Sequence, residues 1–284
     1  MPDDGTRGAS GVTDMSDLAG PAVGYQEWFS HRHVAERRRH ELLAEVYDPA
    51  SISVLRGLGI GPHWRCLDAG CGRGTIAAWL ATQAHRGLTT ACDLDTSLLA
   101  AGPSAALRAV ACDIGAADFA PGSFDLIHAR LLLQHLPDPE RVLDRMVSWL
   151  APGGWLMVAD AFDVAATSTA HPEYAAFHAA LYQLLDAETD TRPDWGRGYP
   201  DPLVRRGLTD IGVEIITQPV HGGGAYALLL HQSLDRLRRT IAHRIGGPAL
   251  DGVLAQLRNP DFWDLSYALV IATGRKPGTI REAR

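Results

Sequence analysis

Residues 65–84, RCLDAGCGRGTIAAWLATQA, set a short apolar run against a loop with glycine at positions 70, 72 and 74, and then against a stretch of helix formers. Few folds accommodate that succession. The apolar run reads as a buried strand, the glycines permit a tight turn, and the alanine-rich continuation reads as a helix packed back on the strand. The pattern recurs downstream. GLTTACDLD, LRAVACDI, SFDLIHAR and GGWLMVADAF read as strands two to five. TSLLAAG reads as a short helix, and LLLQHLPDPERVLDRMVSWLA as a helical stretch broken at its prolines. Such alternation predicts an α/β fold, a doubly wound parallel sheet with helices on both faces.

The loop restricts its ligand. A dinucleotide loop reads G-x-G-x-x-G and seats a pyrophosphate on a helix N-terminus. Here the spacing is G-x-G-x-G, and Asp68 ends strand one. A carboxylate there repels a pyrophosphate and welcomes an ammonium. An adenosine joined to an amino acid, as in S-adenosylmethionine, satisfies both ends. Asp68 is expected at the α-amino group, with Gly70, Cys71 and Gly72 letting the backbone pass close under the ligand. Asp93 ends strand two, 23 positions after Gly70, where an acid accepts ribose hydroxyls. Asp113 ends strand three, suited to the adenine amino group, with Ile114 offering its backbone beside the ring and Leu94 packing on its face.

Composition narrows the partners. The 284 residues carry a net charge of −7 and are 46% hydrophobic, which suits one sizeable core and no broad basic face for nucleic acid. Lys276 is the sole lysine. The run ERRRH, residues 36–40, reads as a solvated helix face. The cysteines, Cys66, Cys71, Cys92 and Cys112, form no C-x-x-C pair and read as buried reduced thiols, in keeping with a cytoplasmic protein. The first twenty residues lack the apolar core of a signal peptide, and no apolar stretch is long enough to span a bilayer.

Residues 1–20 read as a flexible tail and 21–60 as an N-terminal helical lid. Within the lid, YDPAS at 47–51 predicts a helix stop and restart. Residues 61–284 form the main domain, with cap insertions near 166–200 and 221–260. VEIITQPV, 213–220, reads as strand six, and DLSYALVIATGRKP, 264–277, as the closing strand. Phe262 and Trp263 read as anchors at the start of that strand.

Over residues 60–165 the sequence resembles the class I S-adenosylmethionine-dependent methyltransferases of small-molecule, bacterial secondary-metabolism type. LDAGCGRG is similar to that family's first motif, TTACDLD to its acidic second motif, FDLIHARLLLQHLPDP to its strand-four block and LAPGGWLMVAD to the block through strand five. The resemblance implies a Rossmann-like, seven-stranded sheet whose last strand is antiparallel. It implies S-adenosyl-L-methionine as cofactor and methyl transfer to an O-, N- or C-acceptor on a small-molecule natural product. The alternative keeps the fold and cofactor for a non-methylating reaction such as cyclisation or decarboxylation.

Ala129 and Arg130 are expected beside the methionine half of the cofactor. Arg130 suits the cofactor carboxylate, an acidic substrate or a helix–sheet ion pair. ARLLLQHL is similar to the stretch that supplies the catalytic histidine of phosphoethanolamine methyltransferases. That implies His135 as a base, paired with Tyr25, against a packed structural role. His128, inside strand four, reads as core. Tyr174, Phe177, His178 and Tyr182 share one helical face that suits a substrate wall or plain packing, and His221, where strand six ends, is expected to reach the substrate pocket or else to be a loop residue. HARL after strand four departs from the Asn/Asp-Pro-Pro-aromatic motif of nucleic-acid amino-methyltransferases. No catechol-type carboxylate set is evident, so no metal is expected. A small-molecule substrate is expected, with neither nucleic acid nor membrane as partner; the cap helices are candidates for a homodimer contact.

Overall fold

The computed structural model describes residues 34–99, 105–164, 168–189 and 191–278. The proposed tail, 1–20, and Tyr25 lie outside them. Among the described residues seven strands form one sheet in the order β3-β2-β1-β4-β5-β9-β6. They are β1 (Arg65–Ala69), β2 (Leu88–Asp93), β3 (Leu107–Ala111), β4 (Phe124–Arg130), β5 (Leu150–Phe162), β6 (Thr209–Ile216) and β9 (Ala268–Arg275). β1 to β5 pair in parallel, whereas β9, last in the chain, runs antiparallel between β5 and β6. This is the sheet the sequence led us to expect.

The central strands β1, β2, β4, β5 and β9 are largely buried on both faces, their side chains alternating between two cores, whereas the edge strands β3 and β6 are largely exposed. Cys66, Leu126, Met157 and Ile271 enter one core. It is covered by α1 (Val34–Gly57), α2 (Thr75–Gln83), α4 (Pro172–Glu188), α6 (Ala225–Ile245) and α7 (Gly247–Gln256). Leu67, Ile127, Val158 and Val270 enter the other, beneath α3 (Pro139–Trp149) and the short α5 (Asp201–Arg205). α3 begins where Asp138 accepts the Arg141 N–H as its cap, with Pro139 at the first helical position.

Several local readings are corrected. α1 runs unbroken through Pro49. An interior proline costs about 3 kcal/mol, but Leu42, Val46, Tyr47 and Leu55 are buried on either side of it, and their burial offsets that cost. In the run at 36–40, Arg37 and Arg38 are exposed as expected, but Glu36 and Arg39 are buried as an ion pair. TSLLAAG yields only one 3-10 turn among its described residues, Thr96–Leu98, where Asp95 caps the Ser97 N–H. Strand six ends at Ile216; Pro219–His221 leaves the sheet as β7 and pairs with β8 (Trp263–Leu265) in a separate ribbon. The closing strand accordingly begins at Ala268, after Phe262 packs on Tyr174 and Trp263 stacks on His221.

Cys92 and Cys112 are not reduced thiols but a disulfide, with Cα atoms 6.1 Å apart. Parallel pairing sets Cys92 opposite Val110, so Cys112 emerges diagonally beside it. A sequence separation of 20 carries no hint of that meeting. Cys66 and Cys71 are free thiols.

Trp149 closes the second core. It is 1% exposed, meets Phe119 edge-on at 5.1 Å and lies under the Arg145 guanidinium. Trp149→Ala is expected to cost about 3–5 kcal/mol of stability, read from the shift of the urea midpoint.

Candidate functional site

A cavity of about 1050 Å³ opens at the carboxyl edge of the parallel strands. The strand order reverses between β1 and β4, which makes this edge the topological switch point where open α/β sheets bind ligands. Asp68, Asp93, Asp113 and Arg130 line it, from the ends of β1, β2 and β4 and from just beyond β3.

The glycine loop is tied to β2. Gly70 and Cys71 donate their N–H groups to the Cys92 carbonyl at 2.8 and 3.0 Å, and Gly72 donates to Asp93 Oδ2 at 2.8 Å. Gly72 has φ +52°, and a Cβ there would stand 3.0 Å from His40 Nδ1 on α1. Both the backbone and the space demand glycine. Asp93 keeps its second oxygen turned to its own loop, 3.3 Å from the Asp95 N–H, and Asp113 accepts the Gly115 N–H at 2.8 Å. Leu94, 49% exposed, and Ile114 complete this end.

At the other end Asp68, though 2% exposed, still borders the cavity. Its register partner on β4 is His128, whose Nδ1 lies 2.7 Å from Asp68 Oδ1. His128 is core, as expected, but it is also a hydrogen-bond partner that the sequence did not reveal. Arg130 takes the helix–sheet role. It donates to Asp48 at 2.7 Å and to Ser51 at 3.0 Å, on either side of Pro49 in α1. Ala129 is buried and does not line the cavity.

His135 lines the cavity in the 3-10 turn Leu133–His135. Gln134 Oε1 accepts the Ala161 N–H at 3.1 Å, which turns its amide nitrogen toward His135 Nε2, 3.0 Å away. Nε2 is therefore the acceptor, and Nδ1–H donates to Thr191 Oγ1 at 2.9 Å. Burial, aided by the Arg39 charge, pushes its pKa down to about 3. Both ring nitrogens are engaged, and burial favours the neutral form of the imidazole in this arrangement.

The same turn rests on Asp160. That fully buried carboxyl accepts the Tyr199 hydroxyl at 2.6 Å, and Trp195 Nε1 donates to the Tyr199 oxygen at 3.1 Å. Burial pushes the Asp160 pKa up to about 7.

The remaining expected site residues fall elsewhere. Tyr174 and His178 are wholly buried behind the wall and do not line the cavity; His221 packs on Trp263 in the β7–β8 ribbon. One turn further along α4, Leu181, Tyr182 and Leu185 do line it. Sequence reasoning missed Arg39, Leu43 and Tyr47 of α1, Tyr226, Leu230 and Ser233 of α6, and Tyr267. The spacing i, i+4, i+8 in α1 and i, i+4, i+7 in α6 was visible, but a cavity face and a core face share that signal. Among the described residues no three His, Cys, Asp or Glu side chains cluster as metal ligands, and no helix is long and apolar enough to cross a membrane.

A glycine loop under a row of strand-end acids, on a sheet with this order, defines the class I methyltransferase fold. Residues 67–158 match the family described as Methyltransferase domain. The chain is similar to Haemonchus contortus phosphoethanolamine N-methyltransferase 2, solved with S-adenosylhomocysteine, at TM-score 0.59 and 17% identity over 90% of this chain and 60% of that one. It is also similar to the YcgJ protein of Bacillus subtilis, at TM-score 0.55 and 16% identity over 79% and 96%. Among curated proteins, Methyltransferase str3 of Strobilurus tenacellus is 55% identical over 42 residues, 15% of each chain. The ubiquinone biosynthesis O-methyltransferase of Paracidovorax citrulli is 33% identical over 38% of this chain and 48% of its own. The chain thus spans less than half the length of these curated relatives.

Asp160 gives the site a pH signature. Its folded pKa of about 7 lies above the ordinary 3.8, so the native state holds a proton that the unfolded chain releases between about pH 4 and 7. Stability from that proton is present at acid pH and lost as pH rises through 7. His135 and His178, lowered to about 3, act oppositely and lose stability as pH falls below 6.5. Asp160→Asn mimics the protonated acid. In urea titrations its stability should match the wild type near pH 4 and exceed it by on the order of 4 kcal/mol near pH 8.

Proposed function

We propose that this chain is an S-adenosylmethionine-dependent methyltransferase acting on a small molecule. One observation carries the reading: a single cavity joins strand-end carboxylates on one side to a helix-walled compartment on the other. Its volume of about 1050 Å³ lies at the top of the roughly 300–1000 Å³ usual for one ligand, so a nucleoside cofactor and an acceptor fit together. The donor set suits the cofactor. Asp68, Asp93 and Asp113 offer acceptors to an ammonium, two hydroxyls and an exocyclic amine, and would repel a pyrophosphate. The floor at Gly72 has no room for a side chain, because His40 of α1 stands against it.

In this reading Asp68, braced by His128, holds the ammonium. Asp93 accepts the ribose hydroxyls. Asp113 and the Ile114 backbone receive the adenine edge, with Leu94 on its face, while Gly70 and Cys71 pass beneath. Arg130 borders the methionine end with its charge offset by Asp48. When bound, the cofactor supplies a methyl group on a cationic sulfur. The chain's own contribution is to align the acceptor's lone pair opposite the breaking carbon–sulfur bond and to exclude water. His135 fixes the wall beside that path in its neutral form. The cap of α1, α4, α6 and α7 covers the acceptor, and a natural product of the kind common in secondary metabolism suits it. Cyclisation or decarboxylation on the same fold is not favoured, because the matched domain and the curated relatives carry methyltransferase names.

Calorimetric titration with S-adenosylhomocysteine tests the cofactor half. Wild type should bind it and not NAD. Asp93→Ala removes hydrogen bonds to a charged acceptor, each worth about 1.5–3 kcal/mol, so at least a tenfold loss is expected. Gly72→Val should lose binding with its circular dichroism spectrum retained. Full affinity in both variants would place the cofactor elsewhere.

A further inference from the structure

We infer that the acceptor is an uncharged, mostly hydrocarbon molecule whose oxygen is held by the Tyr267 hydroxyl. This deepens the methyltransferase reading and rests on it. The acceptor side of the cavity is walled by Leu43, Leu181, Leu185, Leu229 and Leu230. Among the described residues, the three arginines that line the cavity are already matched by carboxylates: Arg130 by Asp48 at 2.7 Å, Arg73 by Glu41 at 2.6 Å and Arg39 by Glu36 at 2.5 Å. An acceptor bearing phosphate or carboxylate must shed its water on entering. It needs a cation to offset that cost, and these cations are committed. Asp163, close to the phenols of Tyr174, Tyr182 and Tyr267, is itself engaged.

The polar groups within the compartment are also largely committed. Ser233 donates to the Leu229 carbonyl at 2.9 Å, Tyr182 bonds Asp194, and the Tyr47 and Tyr226 phenols bond each other. Tyr267 differs. Its hydroxyl lies 2.7 Å from Nδ1 of His178, a wholly buried ring whose Nε2 has no partner. A buried nitrogen without a partner is tolerated better as a lone pair than as an N–H. The His178 proton therefore sits on Nδ1 and is donated to the Tyr267 oxygen. That directs the phenolic proton of Tyr267 to an acceptor other than His178, and Tyr267 lines the cavity, with Asp163 beside it. His178 is thus a positioning residue that reaches the acceptor through Tyr267.

Three probes share one ring system and differ in charge: 2-naphthol, 2-naphthyl phosphate and 2-naphthylmethylammonium. Each is titrated by calorimetry into the full chain, with and without saturating S-adenosylhomocysteine. We expect 2-naphthol to bind at least tenfold more tightly than either ion. Tyr267→Phe should weaken 2-naphthol about threefold to tenfold and leave S-adenosylhomocysteine affinity unchanged. Asp48→Asn, checked for folding by its thermal melt, should uncover Arg130 and raise affinity for the phosphate at least tenfold. Equal or tighter binding of either ion by wild type overturns the inference, and so does an unchanged 2-naphthol affinity in Tyr267→Phe. Failure of S-adenosylhomocysteine to bind overturns the cofactor reading instead; the probes on the ligand-free protein still decide the acceptor class.

Discussion

Because β1 to β5 run parallel, their carboxyl ends all fall on one edge of the sheet. Everything chemically distinctive in this protein follows from that constraint. Residues far apart in the chain, Asp68, Asp93, Asp113 and Arg130, become neighbours without any local sequence relation. The register sharpens the effect. Asp68 stands opposite His128 across β1 and β4, which turns an isolated buried acid into a hydrogen-bonded pair, and the β2–β3 ladder carries Cys92 to Cys112. A carboxylate at 2% exposure is costly unless bonded, so the histidine is part of what allows the acid to sit there.

The strand-end side of the cavity was legible from the chain for a plain reason. Strand, glycine loop and helix follow one another in sequence, and the acids close successive strands, so local order and spatial order coincide. The helix-walled side was not legible. Tyr47, Tyr182, Tyr226 and Tyr267 come from four separate segments, and nothing in a helical period separates a face lining a cavity from one filling a core. Tyr174 and His178 illustrate the difficulty. They share the face of Tyr182 by spacing, yet they end up behind the wall. His135 shows a different gap. Its position was clear, but its protonation depends on Gln134, Thr191 and Ala161, which meet only in the folded chain. The unbroken α1 was missed because a proline signal is local, whereas the burial that outweighs it is tertiary.

Two buried networks brace the cavity from opposite sides. Trp195, Tyr199 and Asp160 support the turn that carries Gln134 and His135, while Tyr267, His178 and the Tyr47–Tyr226 pair support the wall across from it. In each, burial shifts a titratable group toward its neutral form. The walls that these networks brace present fixed dipoles to the cavity. A site of that kind orients a ligand without competing with it for protons, which suits a displacement governed by alignment.

α1 has a mechanical consequence. Its 24 residues make a rod about 36 Å long. Near one end His40 stands over Gly72 and Glu41 binds Arg73; midway Tyr47 and Asp48 reach the acceptor compartment and Arg130. A continuous helix transmits displacement along its length. The two chambers of the cavity therefore share one roof beam, a single helix whose contacts reach both.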